Sequence, residues 1–413
     1  MADHKKTLLV VGAGIEALPG IKIAQSMGLF VVATDGAVDA AGANVADDFI
    51  LSSTYDLKGT AEKACDYHTN VRPIDGVIAV ASDIPHTVAA VANKLGLAGN
   101  SLETALTSID KVHMKQAFQK DKVAIPQYYE LTTLPQLEEV LSAKPTTAHI
   151  LKPADSRGAR GVIRLLPDVD INWAFDEALS HSPTKRLILE EFIEGPQIST
   201  ESLVIDGICH TFGFSDRNYQ RIKEYAPFMI EDGGELPANI SPILRQDICD
   251  LVQQAATSLG ARTGVVKGDI VIHQGKPMII EMATRLSGGH FCTMEIPYST
   301  GIPFVENAIK LALSEKLTTD DLTPYENEKH LCQRYLFTKP GIIKTISGHE
   351  SWQENPSLIH HELRVKEGDI IKATTDHTCR VGMVIAKGQS HEDAIKNAEK
   401  AIANIHFTYV NTD

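Results

Sequence analysis

Two acids and an arginine carry the most specific chemistry in this sequence. Asp269 and Glu281 lie in GDIVIHQGKPMIIEM, where Gln274 and Gly275 supply a tight turn between two apolar runs. A hairpin centred on Gly275 sets the two carboxylates opposite each other across the ladder. Facing like charges are destabilising. The neighbouring sequence offers them no partner, so the pair asks for a cation. Oxygen ligands suit Mg²⁺, which takes one or two carboxylates together with substrate phosphates. Arg285 follows four residues after Glu281, and then come Ser287, Gly288, Gly289 and His290. A fixed cation there suits charge developing on a transferring phosphoryl group. The plain alternative is a pair of acids on an exposed hairpin face.

Two stretches compete to hold the phosphate. In VVGAGIEA, Gly12, Gly14 and Ala17 fit G-x-G-x-x-G/A after a strand, and Asp35 ends the next strand about 20 residues on, the dinucleotide fingerprint. Taken alone, it points to NAD or to a plain strand-to-helix turn. In HILKPADSRGARGVIRL, Lys152 ends an apolar strand, and Gly158 and Gly161 let backbone N–H groups approach an anion. Arg157 and Arg160 add charge, and no G-x-x-x-x-G-K-[ST] pattern is present. The alternative there is a flexible basic hairpin tip.

These residues need elements to position them. The first third alternates short apolar runs (TLLVV, LFVVAT, DDFIL, GVIAVA) with helical stretches, which predicts a parallel sheet. SIDKVHMKQAFQKDK reads as one helix with Ile109, Val112, Met114 and Phe118 among its apolar positions, ended by Pro126. Asp206-Gly207 and Gln274-Gly275 predict two hairpins, hence an antiparallel sheet. Between them, SDRNYQRIKEYAPFMIEDGGELPANIS reads as a long functional loop. Ser390 and Asp393 predict the capped start of a last helix.

Composition bounds the rest. The chain has 413 residues, 39 Lys and Arg against 53 Asp and Glu, and a net charge of −14. That balance argues against a general nucleic-acid binder, which needs a basic field. No apolar run reaches the ~18 residues of a membrane span, and TLLVV is too short for a signal peptide's apolar core. Cys65, Cys209, Cys249, Cys292, Cys332 and Cys379 are scattered without a C-x-x-C pair, as in a reduced cytoplasmic protein. Cys292 reads as a small packed hydrophobe.

Taken in order, five segments resemble the ATP-grasp superfamily over nearly the whole chain: the N-terminal strand–helix region, DKVHMKQAF…VAIP, LKPADSRGARGV, LILEEFIEGPQISTE and GDIVIHQGKPMIIEMATRLSGGH. The resemblance implies an α/β and α+β fold. A Rossmann-like domain (1–105) would precede a two-lobed ATP-grasp domain (106–328, lid about 125–195) and a C-terminal α+β lobe (329–413). It implies that Lys111 and Lys152 contact ATP phosphates. Ser156, Arg157, Gly158, Arg160 and Gly161 would form a lid over them. Glu190, Glu191, Phe192 and Ile193 would form the hinge, where backbone groups of Glu191 and Ile193 read adenine, and Gln197 would meet the ribose. Asp269 and Glu281 would hold Mg²⁺, with Mn²⁺ as a substitute, and Arg285 would stabilise an acylphosphate.

Three positions depart from the family pattern. Gln197 and Asp269 stand where an acid and a Glu are common, and Ala283 replaces the frequent Asn two residues after the second metal ligand, which removes a donor for a second Mg²⁺. The resemblance implies an ATP-dependent carboxylate–amine ligase similar to L-amino-acid ligases, working on a small-molecule carboxylate and an amine, as a homodimer, without nucleic acid or membrane. Asp83, Arg217 and Asn218 (in SDRNY), Ser287, Gly288 and His290 are its candidate acceptor contacts. Each has a plain alternative: a helix cap for Asp83, a solvated loop for SDRNY, a core histidine for His290. A bicarbonate-activating carboxylase or carbamoyl-phosphate synthase-like enzyme is the second reading. An NAD-dependent oxidoreductase or a non-catalytic nucleotide-binding subunit is more remote, because neither uses the two acids and Arg285.

Overall fold

The computed structural model describes residues 5–410. The chain opens with β1 (Thr7–Val11), β2 (Phe30–Asp35), β3 (Asp48–Leu51) and β4 (Gly76–Ile78), a parallel sheet in the order β3-β2-β1-β4. All five residues of β1 are buried, as expected of a parallel strand covered on both faces. Helices Leu57–Asn70 and Pro85–Leu95 cover one face through Ala61, Ala64 and Val91 against Leu9 and Val11. On the other face, Leu8, Val10 and Ile21 join a core with Phe304 and Ile309 of the helix Phe304–Ala312 and with Leu203, Leu331 and Met383 beyond it. Each such Leu or Ile is worth about 1.5–3 kcal/mol of burial. This shared core fixes the first sheet against the rest.

A small antiparallel sheet follows: β5 (Tyr128–Leu131), β6 (His149–Pro153), β7 (Ile163–Leu165) and β8 (Leu187–Glu191), in the order β5-β8-β6-β7. Helices Leu134–Ala143 and Ile171–Ser180 pack on it through Leu137, Ala174 and Phe175. The remaining strands are β9 (Gln197–Ile205), β10 (Ile208–Asn218), β11 (Gly233–Leu236), β12 (Gly264–His273), β13 (Lys276–Ala283), β14 (His330–Leu336), β15 (Gly341–Ser347), β16 (Leu358–Leu363), β17 (Ile370–Ile371), β18 (Gly382–Gly388) and β19 (His406–Tyr409). Eight of them form one sheet, β13-β12-β9-β10-β11-β14-β18-β16, and β17-β15-β19 form a small one. The large sheet is therefore continuous from the two predicted hairpins into the C-terminal segment, through β11 paired with β14. Helices Lys111–Lys120 and Pro242–Ser258 pack on its first strands through Met114, Phe118, Ile248 and Val252. Ser390 caps the last helix, its hydroxyl accepting from the Asp393 N–H at 3.2 Å.

Three local expectations change. The stretch around DKVH is two helices, Leu102–Ile109 and Lys111–Lys120. Asp110 is extended, and its carboxylate accepts from the N–H groups of Val112 and His113 at 3.0 Å, so it caps a new helix rather than continuing the old one. That helix ends at Lys120, ahead of Pro126. The long loop is shorter than expected: Ser215 to Asn218 finish β10, and Gly233–Leu236 form β11 opposite them. Gly233-Gly234, which looks like loop punctuation, instead allows close strand approach; a Cβ on Gly233 would lie 2.1 Å from the Gln333 carbonyl oxygen. Finally, Asp269 does face Glu281, but through a bulge. The turn pairs His273 with Lys276 and Ile270 with Ile279, and an extra residue, Ile280, brings Glu281 into register with Asp269.

Among the described residues no helix is long and apolar enough to cross a membrane, and all six cysteines are unpaired. Cys292 is fully buried, its thiol donating to the Ser287 carbonyl at 3.1 Å.

Candidate active site

A cavity of about 580 Å³ opens where the three main sheets meet. The β12–β13 bulge sits on its wall, and Ile280, Glu281, Met282 and Ala283 all line it. Bulges re-aim side chains in this way beside active sites. The two acids are not short of partners, contrary to the sequence reading. Asp269 Oδ2 lies 2.9 Å from Arg217, its Oδ1 meets Lys267 and accepts from the Ser199 hydroxyl at 3.0 Å, and Glu281 lies 3.3 Å from Lys111 Nζ. Lys267 is two residues before Asp269, on the same strand face, so strand alternation could have found it. Burial alone would raise the Asp269 carboxyl's pKa, but Arg217 and Lys267 hold it well below the ordinary range. The result is an anionic pair inside a ring of three cations.

Lys111 owes its place to the Asp110 cap. As the first residue of its helix it points Nζ at the Ser156 carbonyl, 2.9 Å away, while its own N–H donates to the Ala154 carbonyl at 2.8 Å. Lys152, at the end of β6, lies 2.8 Å from Glu190. Glu190 is 3% exposed and also faces Lys115 Nζ at 3.6 Å. Burial pushes Lys115 down to about 8, against the pull of Glu190. Burial favours the neutral Glu190 acid, yet Lys115 and Lys152 keep its pKa below the ordinary range.

Between β6 and β7, Gly158, Ala159 and Gly161 all take positive φ. Ser156, Arg157, Gly158 and Arg160 line the cavity, but Gly161 does not; it packs near Pro153 and His181. The loop touches both ends of the molecule: Arg157 lies over the Tyr55 ring at 5.2 Å, and the His377 N–H donates to the Gly158 carbonyl at 3.1 Å. Gln197 lines the cavity. Glu190, Glu191, Phe192 and Ile193 lie behind its wall, the N–H groups of Glu191 and Phe192 donating to Gln127 and Ala148.

Across the cavity, Arg285 Nε lies 2.6 Å from Asp83. Asp83 thus acts as Arg285's ion partner; burial would raise its pKa, and Arg285 lowers it. Next to them, Glu201 is fully buried on β9. It accepts from the Ser287 N–H at 2.8 Å and from the Ser287 hydroxyl. Burial pushes Glu201 up to about 7 despite those bonds. Ser287 and Gly288 line the cavity. Glu16, from the glycine-rich turn, accepts from the Gly289 N–H at 3.1 Å. Asp35 in turn accepts from the Ala13 N–H at 2.9 Å. That acid is engaged with its own turn, which places Glu16 and leaves little for a nucleotide ribose.

A further part of the lining comes from Arg217, expected from SDRNY, and from residues with no motif. Arg217 bonds Glu231 at 2.7 Å, and Arg380 donates to the Glu231 carbonyl at 2.9 Å while lying over the Tyr335 ring at 3.5 Å. Burial works against ionisation of Glu231, but Arg217 and Arg380 hold it at about 2. Glu295 is 2% exposed, lines the cavity and has an oxygen without a partner, and burial pushes its pKa well up. Gln333 and Tyr335 of β14, together with Arg364, His377 and Arg380 from the connections of the C-terminal segment, also line the cavity, which no local pattern could have signalled. Two expected acceptor contacts are not brought in. Asn218 is buried behind the wall, its amide donating to Glu235 at 3.3 Å, and His290 turns its ring onto His360 instead, centroids 4.1 Å apart. His290 takes φ 64°, which swings it off the line of Ser287 and Gly288.

Comparison with known proteins fits this geometry. Residues 108–289 match the ATP-grasp domain, and residues 334–410 match the L-amino acid ligase C-terminal domain 2. The chain is 22% identical over 308 residues to the L-arginine-specific L-amino acid ligase of Bacillus subtilis, covering 73% of this chain and 72% of that one. It is 26% identical over 195 residues to a D-alanine–D-alanine ligase of Gloeobacter violaceus, covering 45% of this chain and 62% of the ligase. The crystal structure of an L-amino acid ligase from Bacillus licheniformis shares the fold, with a TM-score of 0.82 and 20% identity over 99% of this chain and 100% of that one.

Proposed function

We propose that the chain, whose residues 108–289 match the ATP-grasp domain, is an ATP-grasp enzyme that joins a carboxylate to an amine by way of an acylphosphate, releasing ADP and phosphate. One observation carries this reading. The facing acids Asp269 and Glu281, the lysines Lys111 and Lys152, the arginines of the Ser156–Gly161 loop and Arg285 all line a single cavity.

The donor set fits Mg²⁺. Two carboxylates from adjacent strands face each other, and Asp269 is held ionised. Ala283 offers no side-chain oxygen beside them, so a second ion would lack a ligand at that position. Bound there, Mg²⁺ would neutralise phosphate charge and orient the transferring group.

The residues of the chain do the rest. Lys111 and Lys152 meet the phosphates of ATP, exchanging carboxylate partners for phosphate oxygens. The Ser156–Gly161 loop closes with Arg157 and Arg160 over them. An oxygen of the substrate carboxylate attacks the γ-phosphorus, the bond to the β-phosphate oxygen breaks, and ADP leaves. Arg285, held by Asp83, faces the charge on the acylphosphate. The amine nitrogen then attacks the acyl carbon, loses a proton, and displaces phosphate. Closure excludes water, which would otherwise hydrolyse the intermediate.

The test is a phosphate-release assay with amino acids offered singly and in pairs. The reading expects ADP and phosphate only when a carboxylate and an amine are both present, with an amide as product. Release on bicarbonate alone would replace it with a bicarbonate-activating enzyme.

A further inference from the structure

His290, which the sequence offers as a substrate contact, does not line the cavity. Its ring instead lies against His360, centroids 4.1 Å apart and planes 50° apart. Glu362, two residues along β16, completes a group. One ring nitrogen from each histidine and one carboxylate oxygen all lie within 4.8 Å of one another.

We propose that His290, His360 and Glu362 form a second cation site, separate from Asp269 and Glu281, which takes a divalent transition metal of the Zn²⁺ or Co²⁺ kind.

The argument starts from an unmet bond. His360 Nε2 is buried and has no hydrogen-bond partner. Glu362 Oε2 is 4.0 Å away, too far for a hydrogen bond. A buried polar atom left so is costly unless something fills the gap. Two imidazoles and one carboxylate are a donor set for a borderline metal rather than for Mg²⁺. Tetrahedral coordination at about 2.0–2.1 Å puts ligand atoms roughly 3.3 Å apart. With all ligand atoms within 4.8 Å of one another, no pair has to close by more than about 1.5 Å.

The surroundings agree. Glu362 Oε1 is held by Arg364 Nε at 2.7 Å, leaving Oε2 turned toward His360, the outer-shell orientation that metal carboxylates require. Glu16, bonded to Arg364 at 3.1 Å, offsets that arginine's charge. Metal ligands must be neutral imidazoles. Burial among these groups favours the neutral form of both imidazoles. His360 and Glu362 keep about a fifth of their side-chain surface exposed, enough for entry and for a water as a further ligand. An ion there would tie the loop carrying Ser287 and Gly288 to β16, an edge of the large sheet.

The probe is Co²⁺, added to chelator-treated full-length protein carrying Glu281→Gln to weaken the other acidic pair. The expected result is one Co²⁺ per chain with the visible absorption of a four- or five-coordinate nitrogen-ligated ion. The band is lost in His360→Gln and in Glu362→Gln made in the same background. Zn²⁺ should raise the unfolding midpoint of the parent but not of the histidine variant. Absence of the band, or its survival in both variants, overturns the site. If His360→Gln fails to fold by circular dichroism, Glu362→Gln decides alone.

Discussion

Replacing Glu201 by glutamine should change how stability depends on pH while keeping the fold. The side chain is fully buried, and its two oxygens are occupied by the Ser287 N–H and hydroxyl. Gln keeps the shape, accepting from the N–H and donating to the hydroxyl. Burial raises the Glu201 pKa from 4.5 to about 7, so between those values the folded state holds a proton that the unfolded chain has lost. A raised folded pKa means stability that is fully present below the unfolded value and lost as pH climbs through the folded one. The rise corresponds to about 3 kcal/mol, spread at up to about 1.4 kcal/mol per pH unit. Other carboxylates contribute slopes of the opposite sign, so the assay is a difference. Urea unfolding of wild type and Glu201→Gln is compared at pH 5, 6, 7 and 8. Wild type should lose roughly 2.5 kcal/mol relative to the variant between pH 5 and 8 and level off above pH 7. A difference that stays flat, or grows in favour of wild type as pH rises, refutes the reasoning and means that Glu201 is ionised throughout.

Two substitutions address the phosphate end. Lys152→Ala should weaken ATP binding by tenfold or more, about 1.4 kcal/mol, because Glu190 keeps Lys115 as partner and the core survives; calorimetry giving wild-type affinity would remove Lys152 from phosphate binding. Glu281→Gln should abolish Mg²⁺-dependent turnover with the melting midpoint nearly unchanged, since the side chain stands at the cavity wall; retained turnover would take Glu281 out of the metal site.

Much of the fold is legible in local pattern, and the site only partly so. Apolar runs alternating with helical stretches mark the parallel sheet. Two turn pairs mark the hairpins that carry Asp269 and Glu281. The facing of those acids was expected for an incomplete reason, because the bulge at Ile280 restores a register that the Gln274-Gly275 turn alone misses by one residue. Local pattern is ambiguous where one residue type serves two ends. Asp110 looks like a helix interior residue and is a cap. Gly233-Gly234 looks like a loop and is a strand.

The partners of the acids were missed for another reason. Arg217 comes from a strand more than 50 residues before Asp269, and Arg380, Tyr335 and Gln333 reach the cavity because the large sheet runs on into the C-terminal segment. Such contacts follow from sheet order, which local periodicity does not encode. VVGAGIEA shows the converse. Its pattern reads as a nucleotide site, yet Asp35 bonds the turn's own backbone, and the turn's contribution to the cavity is Glu16.

The central claim is that the carboxylate is activated by phosphate. It is tested most directly with a substrate carboxylate labelled with ¹⁸O in both oxygens, in a reaction followed by ³¹P NMR. Attack of the carboxylate on the γ-phosphorus requires one labelled oxygen to leave with the phosphate, so the account predicts the isotope-shifted signal of singly labelled phosphate, with ADP as the only other phosphorus product. Unlabelled phosphate alongside formed amide, or label appearing in AMP, would contradict it.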